Sequence, residues 1–186
     1  CEPGERCVIN DLGDFTHYEN FSGKTEASGH DLDYDGRFPK MIDYYIPLMR
    51  FIIEKALTKF KFVDVIKNQG NHSRTNDIWM AKLLKYGYEL ETRVNVVDNS
   101  NVFIPYRMGN TFVLTHHSDK CKHDRLTKVM ATDFPQDWGE SKFRYIDMGH
   151  VHHSFTSKEH PGVKVESWNN LAMPDKYAHE GGWRSR

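Results

Sequence analysis

The stretch that decides the fold is Phe62–Arg74, with the sequence FVDVIKNQGNHSR, an apolar β-branched run followed by a glycine and a polar cluster. The β-branched residues favour a strand with little water on either face. Gly70 permits a sharp turn where a side chain would clash. Asn71 and His72 then follow the strand, at the edge where open α/β sheets bind their ligands. We therefore predict a ligand-binding loop at the carboxyl end of a buried strand.

Length and charge limit the classes of protein that fit. A chain of 186 residues with 38% hydrophobic content suits a single domain, residues 1–186, with a sizeable core. The formal net charge of −1 gives no overall attraction to nucleic acid or to an anionic membrane. Contact with a polyanion would therefore require a local basic patch.

The cysteines and the absence of long apolar runs predict a cytoplasmic, soluble protein with no membrane partner. Cys1, Cys7 and Cys121 are odd in number and scattered, which favours a reducing compartment without a disulfide framework. No apolar run approaches the ~18 residues that span a bilayer. Because the chain opens with Cys1 and not methionine, we expect that a piece of the natural chain precedes it.

Strand and helix patterns alternate along the chain, which predicts an α/β fold. Apolar residues from Ile42 to Leu57 recur at helical spacing after Pro39, and Pro47 is expected to kink or split that helix. Residues 17–37 are polar and predict a long loop. Further helices are predicted at 76–86 and 123–132, and strands at 7–9, 62–67, 94–97, 102–104, 111–115, 143–148 and 163–167. The strands at 94–97, 102–104 and 111–115 are expected to be neighbours in one sheet.

Potential metal ligands follow four of the predicted strands. One histidine would most simply be a satisfied core or loop residue, but four strand ends with such side chains favour a metal site. Carboxylate, amide and imidazole ligands without thiolate suit Mn²⁺, Fe or Zn²⁺ and not a structural Cys-rich zinc site. The strand-end residues are Asp14; Asn71 and His72; His116 and His117; and His150, His152 and His153. This pattern predicts a catalytic metal centre.

The order of these motifs resembles the calcineurin-like metallophosphoesterase superfamily over nearly the whole chain. The motifs are GD at Gly13–Asp14, GNH at 70–72, a histidine directly after a strand at His116, and GHxH at 149–152. The chain length and the sequence GDFTH are similar to those of phage-type or prokaryotic members related to the exonuclease subunit of double-strand-break repair complexes. The resemblance implies a four-layer αββα sandwich of mixed β-sheets flanked by helices.

The resemblance also implies roles for individual residues. Asp14 would bridge two divalent transition metals, with Mn²⁺ the first choice and Fe or Zn²⁺ the alternatives. The ligands of the second metal would be Asn71, His116 and His150, and His152 would bind the first. His72 would be a non-ligand histidine that protonates the leaving oxygen, whereas its simpler interpretation is a histidine at a helix start. His117 is expected at the rim, because only one of two adjacent strand residues points into the site.

Three departures separate this chain from the family pattern. The family's first motif, Asp-x-His, is absent, so the first strand and the C-terminal end of the domain are expected to be missing from this sequence. His17 stands where the family places the acidic partner of the catalytic histidine, and Ser73 stands where an acid follows GNH. If the natural chain begins here, only a mononuclear or inert site is expected.

The resulting hypothesis is a metal-dependent phosphodiesterase that acts on DNA. Lys122, Arg125 and Lys128 recur at intervals of three and form either a basic stripe near the metal site or a solvated helix face. Arg74 and His17 are further candidate substrate contacts, although an exposed arginine at a helix start has a simpler explanation. The alternatives are a small-nucleotide phosphodiesterase and a non-catalytic binding scaffold with a vestigial metal site.

Overall fold

The computed structural model describes residues 4–24, 29, 37–151 and 155–169, with side chains described for all of these except 155–159. The chain is α/β and divides into two compact units, Cys1–Val102 and Phe103–Arg186. Each unit contains its own sheet and its own hydrophobic core. Among the described residues, no helix is both long enough and apolar enough to cross a membrane.

The first unit is built on a three-stranded parallel sheet in the order β1-β2-β3. Parallel neighbours require crossover connections, and two helices supply them here. The elements are β1 (Gly4–Asp11), α1 (Phe38–Leu57), β2 (Phe60–Lys67), α2 (Arg74–Gly87) and β3 (Val94–Val96). The predicted strand within 62–74 and the helices that flank it are therefore confirmed.

The core of the first unit confirms the apolar face predicted for α1. Tyr45, Met49 and Ile53 lie one helical turn apart and are at most 2% exposed. They pack with Val63 and Val65 of β2 and with residues of α2. Full burial of one such aliphatic side chain stabilises the fold by about 1.5–3 kcal/mol. The core thus fixes both helices against the central strand.

Pro47 does not split α1, contrary to one of the expectations from the sequence. The helix is continuous from Phe38 to Leu57. Proline removes the hydrogen bond to the carbonyl four residues earlier, which belongs to Asp43. Both Asp43 and Pro47 are exposed, so water can hydrate that carbonyl while the buried face keeps its packing.

The second unit is built on a five-stranded mixed sheet in the order β4-β5-β6-β8-β7. The pairs β5·β6 and β6·β8 are parallel, and β4·β5 and β7·β8 are antiparallel. The elements are β4 (Ile104–Met108), β5 (Thr111–His116), α3 (His123–Asp133), α4 (Pro135–Glu140), β6 (Phe143–Met148), β7 (Phe155–His160) and β8 (Val163–Ser167). Leu126 and Met130 of α3 pack into the core of this sheet.

The strand prediction was wrong in three places, and one of them is the strand predicted at 102–104, which the structure places at Ile104–Met108. Val94–Val96 pairs with β2 in the first unit and is not a neighbour of the strand at Thr111–His116. The strand Phe155–His160 was not predicted at all. A short apolar segment indicates a strand but not its partner, because partner choice depends on packing of distant residues. The predicted loop residues 25–28 and 30–36, with His30 and the nearby aspartates, and the tail from 170 lie outside the described residues.

Candidate functional site

In the first unit, two of the predicted strand ends lie side by side. β1 and β2 are parallel, and Asp11 is paired with Lys67 at their ends, so the loops that follow leave the same edge of the sheet. Asp14 belongs to the first loop and His72 to the second. The Oδ1 atom of Asp14 accepts a hydrogen bond of 2.8 Å from the backbone N–H of His72. The GD and GNH motifs therefore form one local structure.

Gly70 makes this close approach possible. A Cβ atom at this position would lie 2.0 Å from Asp14 Oδ1 and 2.3 Å from Asp14 N. Asp14 itself has a φ of 59°. A left-handed backbone costs a non-glycine residue about 1–2 kcal/mol, so the surrounding structure maintains strain at this carboxylate.

The buried carboxylate of Asp77 accepts hydrogen bonds that hold the GNH turn in place. It is 0% exposed. Its Oδ2 atom accepts hydrogen bonds from the Gly70 backbone N–H at 2.8 Å and from Ser73 Oγ at 2.7 Å. Because these bonds hold the residues on both sides of Asn71 and His72, Asp77 fixes the conformation of the predicted ligand and the predicted acid.

The charge of Asp77 is balanced by a buried lysine. Lys67 Nζ lies 2.5 Å from Asp77 Oδ1 and 2.9 Å from Asp11 Oδ2, and its side chain is 0% exposed. Burial by itself lowers the pKa of Lys67, but the two carboxylates outweigh it and raise the pKa above the ordinary value. The ammonium group therefore stays charged and ties the ends of β1, β2 and α2 together.

His72, the residue predicted to donate a proton, lies in the turn between Gly70 and Ser73. It is half-buried, and its Nδ1 atom is shielded from solvent without a hydrogen-bond partner among the described residues. Asn71, the predicted ligand beside it, is also half-buried. Neither side chain is used to pack the hydrophobic core of the unit. The turn therefore presents an amide and an imidazole next to the strained carboxylate.

In the second unit, the other two strand ends also lie side by side. β5 and β6 are parallel, and His116 is paired with Met148 at their ends. The rings of His117 and His150, which follow these strands, meet edge to face with centroids 5.2 Å apart. Two imidazoles on adjacent strand ends are an arrangement that suits a transition metal.

His116 and His117 differ from the roles that the resemblance implies. His116 Nδ1 accepts a hydrogen bond of 2.7 Å from the Ser118 N–H, and its ring stacks on Phe103. A neutral histidine whose Nδ1 accepts carries its proton on Nε2, which then offers no lone pair to a metal. His117 was expected at the rim, but it is only 3% exposed. His117, whose ring contacts that of His150, is therefore a candidate ligand beside His116.

Ser118 connects the loop that follows β5 to the loop that follows β6. Its Oγ donates a 3.0 Å hydrogen bond to the Gly149 carbonyl, and it has a φ of 75°. His150 also has a left-handed backbone, with a φ of 69°. Left-handed non-glycine residues thus occur at and beside the histidine pair, as Asp14 does beside Gly70 in the first unit.

The remaining predicted residues lie at more exposed positions. Arg74 is the half-buried first residue of α2, and His17 is exposed beside the ring of Tyr18. Lys122 and Arg125 are exposed at the start of α3. His152 and His153 lie outside the described residues.

Sequence reasoning missed Lys67, Asp77 and Ser118, and it predicted His117 at the rim of the site. One signal was present, because a lysine ends an otherwise apolar strand and a buried lysine requires an acidic partner. The other contacts depend on loop conformation.

Comparisons of the chain with protein-family models, with curated proteins and with solved structures found no match.

Proposed function

We propose that this protein is a metal-dependent phosphoesterase that hydrolyses phosphodiester bonds, with DNA as its substrate. The observation that carries the proposal is the left-handed backbone of Asp14 and His150, both of which the family resemblance assigns as metal ligands. Glycine would adopt that conformation without strain. Strain that is kept at a carboxylate and an imidazole is typical of functional sites.

The family resemblance assigns candidate ligands in each of the two units. Asp14 and Asn71 supply oxygen donors, and His150 with His117 or His116 supplies nitrogen donors. His152 is proposed as a ligand of the first metal, as the resemblance implies. This mixture suits two divalent transition metals, Mn²⁺ first and Fe or Zn²⁺ as alternatives. Such ions, when bound, lower the pKa of a coordinated water and neutralise charge on the phosphate.

The protein's own contribution to the reaction centres on His72. In its protonated form it gives a proton to the leaving oxygen, which would otherwise depart as an unstable alkoxide. The bond from its backbone N–H to Asp14 keeps the residue in position. Arg74, two residues after His72, is proposed to contact a non-bridging oxygen of the phosphate.

The finer fold and the location belong to the same proposal. We propose that the two sheets and their helices adopt the four-layer αββα arrangement of the calcineurin-like superfamily, and that the single domain acts in the cytoplasm. Cys7 and Cys121 are both free thiols, which fits a reducing compartment.

Exposed basic residues on α3 support DNA as the substrate. Lys122, Arg125 and Lys128 are all exposed, whereas Leu126 and Met130 are buried. A protein that contacts only the nucleic-acid backbone needs positive charge and no base-specific pocket. A solvated helix face remains the simpler interpretation of these charges, so the experiment must separate the two.

The test compares DNA cleavage with hydrolysis of a small aryl phosphodiester in the presence of Mn²⁺. The variant Lys122→Glu/Arg125→Glu should lose DNA cleavage and its salt dependence but keep aryl ester turnover. Lys55→Glu/Lys85→Glu is the matched control, because it reverses two exposed lysines on α1 and α2. This control should cleave DNA at the wild-type rate.

Two outcomes would reject the proposal in different ways. Hydrolysis of the small ester without DNA cleavage would indicate a nucleotide phosphodiesterase. Binding of DNA without any metal-dependent hydrolysis would indicate a scaffold with a vestigial site.

A further inference from the structure

A second group of metal-ligand side chains lies in the second unit and uses none of the residues discussed above. His123 and Asp124 begin α3, and His160 is the last residue of β7. One ligand atom from each of the three residues lies within 4.8 Å of the other two. No local sequence pattern indicates this group, because Asp124 and His160 lie 36 positions apart in the chain.

One of the two distances to Asp124 is close to the separation of ligand atoms around a metal ion, and the other is the length of a hydrogen bond. His123 Nδ1 lies 2.6 Å and His160 Nε2 lies 3.6 Å from Asp124 Oδ1. Ligand atoms around a tetrahedral zinc ion with bonds of ~2.0–2.2 Å are separated by roughly 3.3–3.5 Å. The Asp124 side chain is 74% exposed, so it can rotate to equalise the two distances.

The two imidazoles are more shielded than the carboxylate. The His123 and His160 side chains are 21% and 22% exposed. The Nε2 atom of His160 is inaccessible to solvent and lacks a hydrogen-bond partner among the described residues. A shielded ring nitrogen that faces a carboxylate beyond hydrogen-bonding distance is unfavourable by itself but suits a metal ligand.

Both backbones that carry these ligands are held firmly. Leu126 and Met130 anchor α3 in the core of the second unit. His160 is paired with Val163 across a tight turn in which Gly162 has a φ of 80°. Ligands on packed elements keep their geometry better than ligands on loops.

We propose that His123, Asp124 and His160 form a zinc-binding site with water as the fourth ligand. Two imidazole nitrogens and one carboxylate oxygen are typical zinc donors, and the exposed side of Asp124 gives water access. Zinc at this position would tie the start of α3, which carries Lys122 and Arg125, to the β7–β8 hairpin. The competing interpretation is a metal-free ion pair between a protonated histidine and Asp124.

Equilibrium dialysis against Zn²⁺ with elemental analysis tests the site. The full chain with Asp14→Ala and His150→Ala serves as the background, because these changes remove ligands of the proposed catalytic metals. We expect this background to bind one zinc ion. Adding His160→Gln or Asp124→Asn should weaken that binding by more than the ~10–100-fold typical of a residue that only supports a ligand.

The control is Asp133→Asn, which removes the same charge at the other end of α3 and should leave zinc binding unchanged. If both His160→Gln and Asp124→Asn keep the unaltered affinity for Zn²⁺, the proposal is overturned. A second measurement uses the unmodified chain, in which Zn²⁺ should protect His123 and His160 from diethyl pyrocarbonate, as mapped by mass spectrometry. Full reactivity of both histidines at saturating Zn²⁺ would also overturn it.

Discussion

Asp14 and His72, 58 residues apart in the chain, are joined by a 2.8 Å hydrogen bond from the His72 backbone N–H to the Asp14 carboxylate. The first residue is the predicted bridging ligand, and the second is the predicted general acid. Because the carboxylate positions the backbone of the acid, the two motifs depend on each other. A change that separates them should impair metal binding and proton donation together.

Gly70→Ala should separate them. The added Cβ would overlap the Asp14 carboxylate and backbone, at 2.0 and 2.3 Å. Overpacking of this kind typically costs about 1–3 kcal/mol, and here it falls on the candidate ligand itself. We expect a lower free energy of unfolding in urea titrations and loss of metal from the purified protein.

Gly87→Ala is the matched control for Gly70→Ala. A Cβ atom at this position, the last residue of α2, meets nothing within 4 Å. Stability should be unchanged or raised by up to ~1 kcal/mol, because alanine lowers the entropy of the unfolded chain. Equal destabilisation in both variants would show that the close approach to Asp14 is not the cause.

His72→Ala should keep the metal and lose most of the turnover. A general acid typically contributes ~10²–10⁴-fold to the rate. Aryl leaving groups need little protonation, so their hydrolysis should suffer less than that of alkyl esters. Steady-state rates for both ester types, with metal content measured in parallel, check this. Equal losses for the two esters, or loss of metal, would contradict the role.

His117→Ala and His116→Ala should have different effects on metal binding. His117 contacts the ring of His150, whereas His116 Nδ1 accepts a hydrogen bond from the backbone N–H of Ser118. If His117 is the ligand, its removal should lower metal occupancy strongly, and removal of His116 should mainly lower stability. Elemental analysis and thermal unfolding of both variants distinguish them. The reverse order would restore His116 to the role that the family resemblance implies.

Lys67→Met should destabilise the first unit in a pH-dependent way. The change leaves Asp11 and Asp77 without their buried cation, and such losses cost about 3–5 kcal/mol. Because folding raises the pKa of Lys67, its contribution is complete below the unfolded value of ~10.4 and is lost as pH rises through the folded value. The penalty should therefore be constant from pH 7 to 9 and shrink above pH ~10.4.

Lys61→Met provides the comparison for Lys67→Met in urea titrations at each pH. Lys61 lies on the same strand, but its side chain is 58% exposed and its partner Glu5 is 70% exposed, at 3.2 Å. An exposed ion pair contributes at most about 1 kcal/mol. Similar penalties for the two lysines would contradict a special role for the buried one.

The sequence by itself determined most of the elements and the polar residues that follow several of the strands. The Ile42–Leu57 spacing identified the buried face of α1, and the strands at 143–148 and 163–167 have the predicted bounds. It also placed Asp14, His72, His116 and His150 at or just after strand ends. These features are local, because periodicity and chain-turning residues act over a few positions.

Only the tertiary structure decided which of these residues meet. Strand Val94–Val96 joins β2, Lys67 meets Asp77, and His160 meets Asp124 through contacts between separate elements. The different surroundings of His116 and His117 depend on the left-handed turn at Ser118, beyond the end of β5. Strand alternation no longer applies there, and side-chain directions are set by packing and hydrogen bonds that no local pattern records.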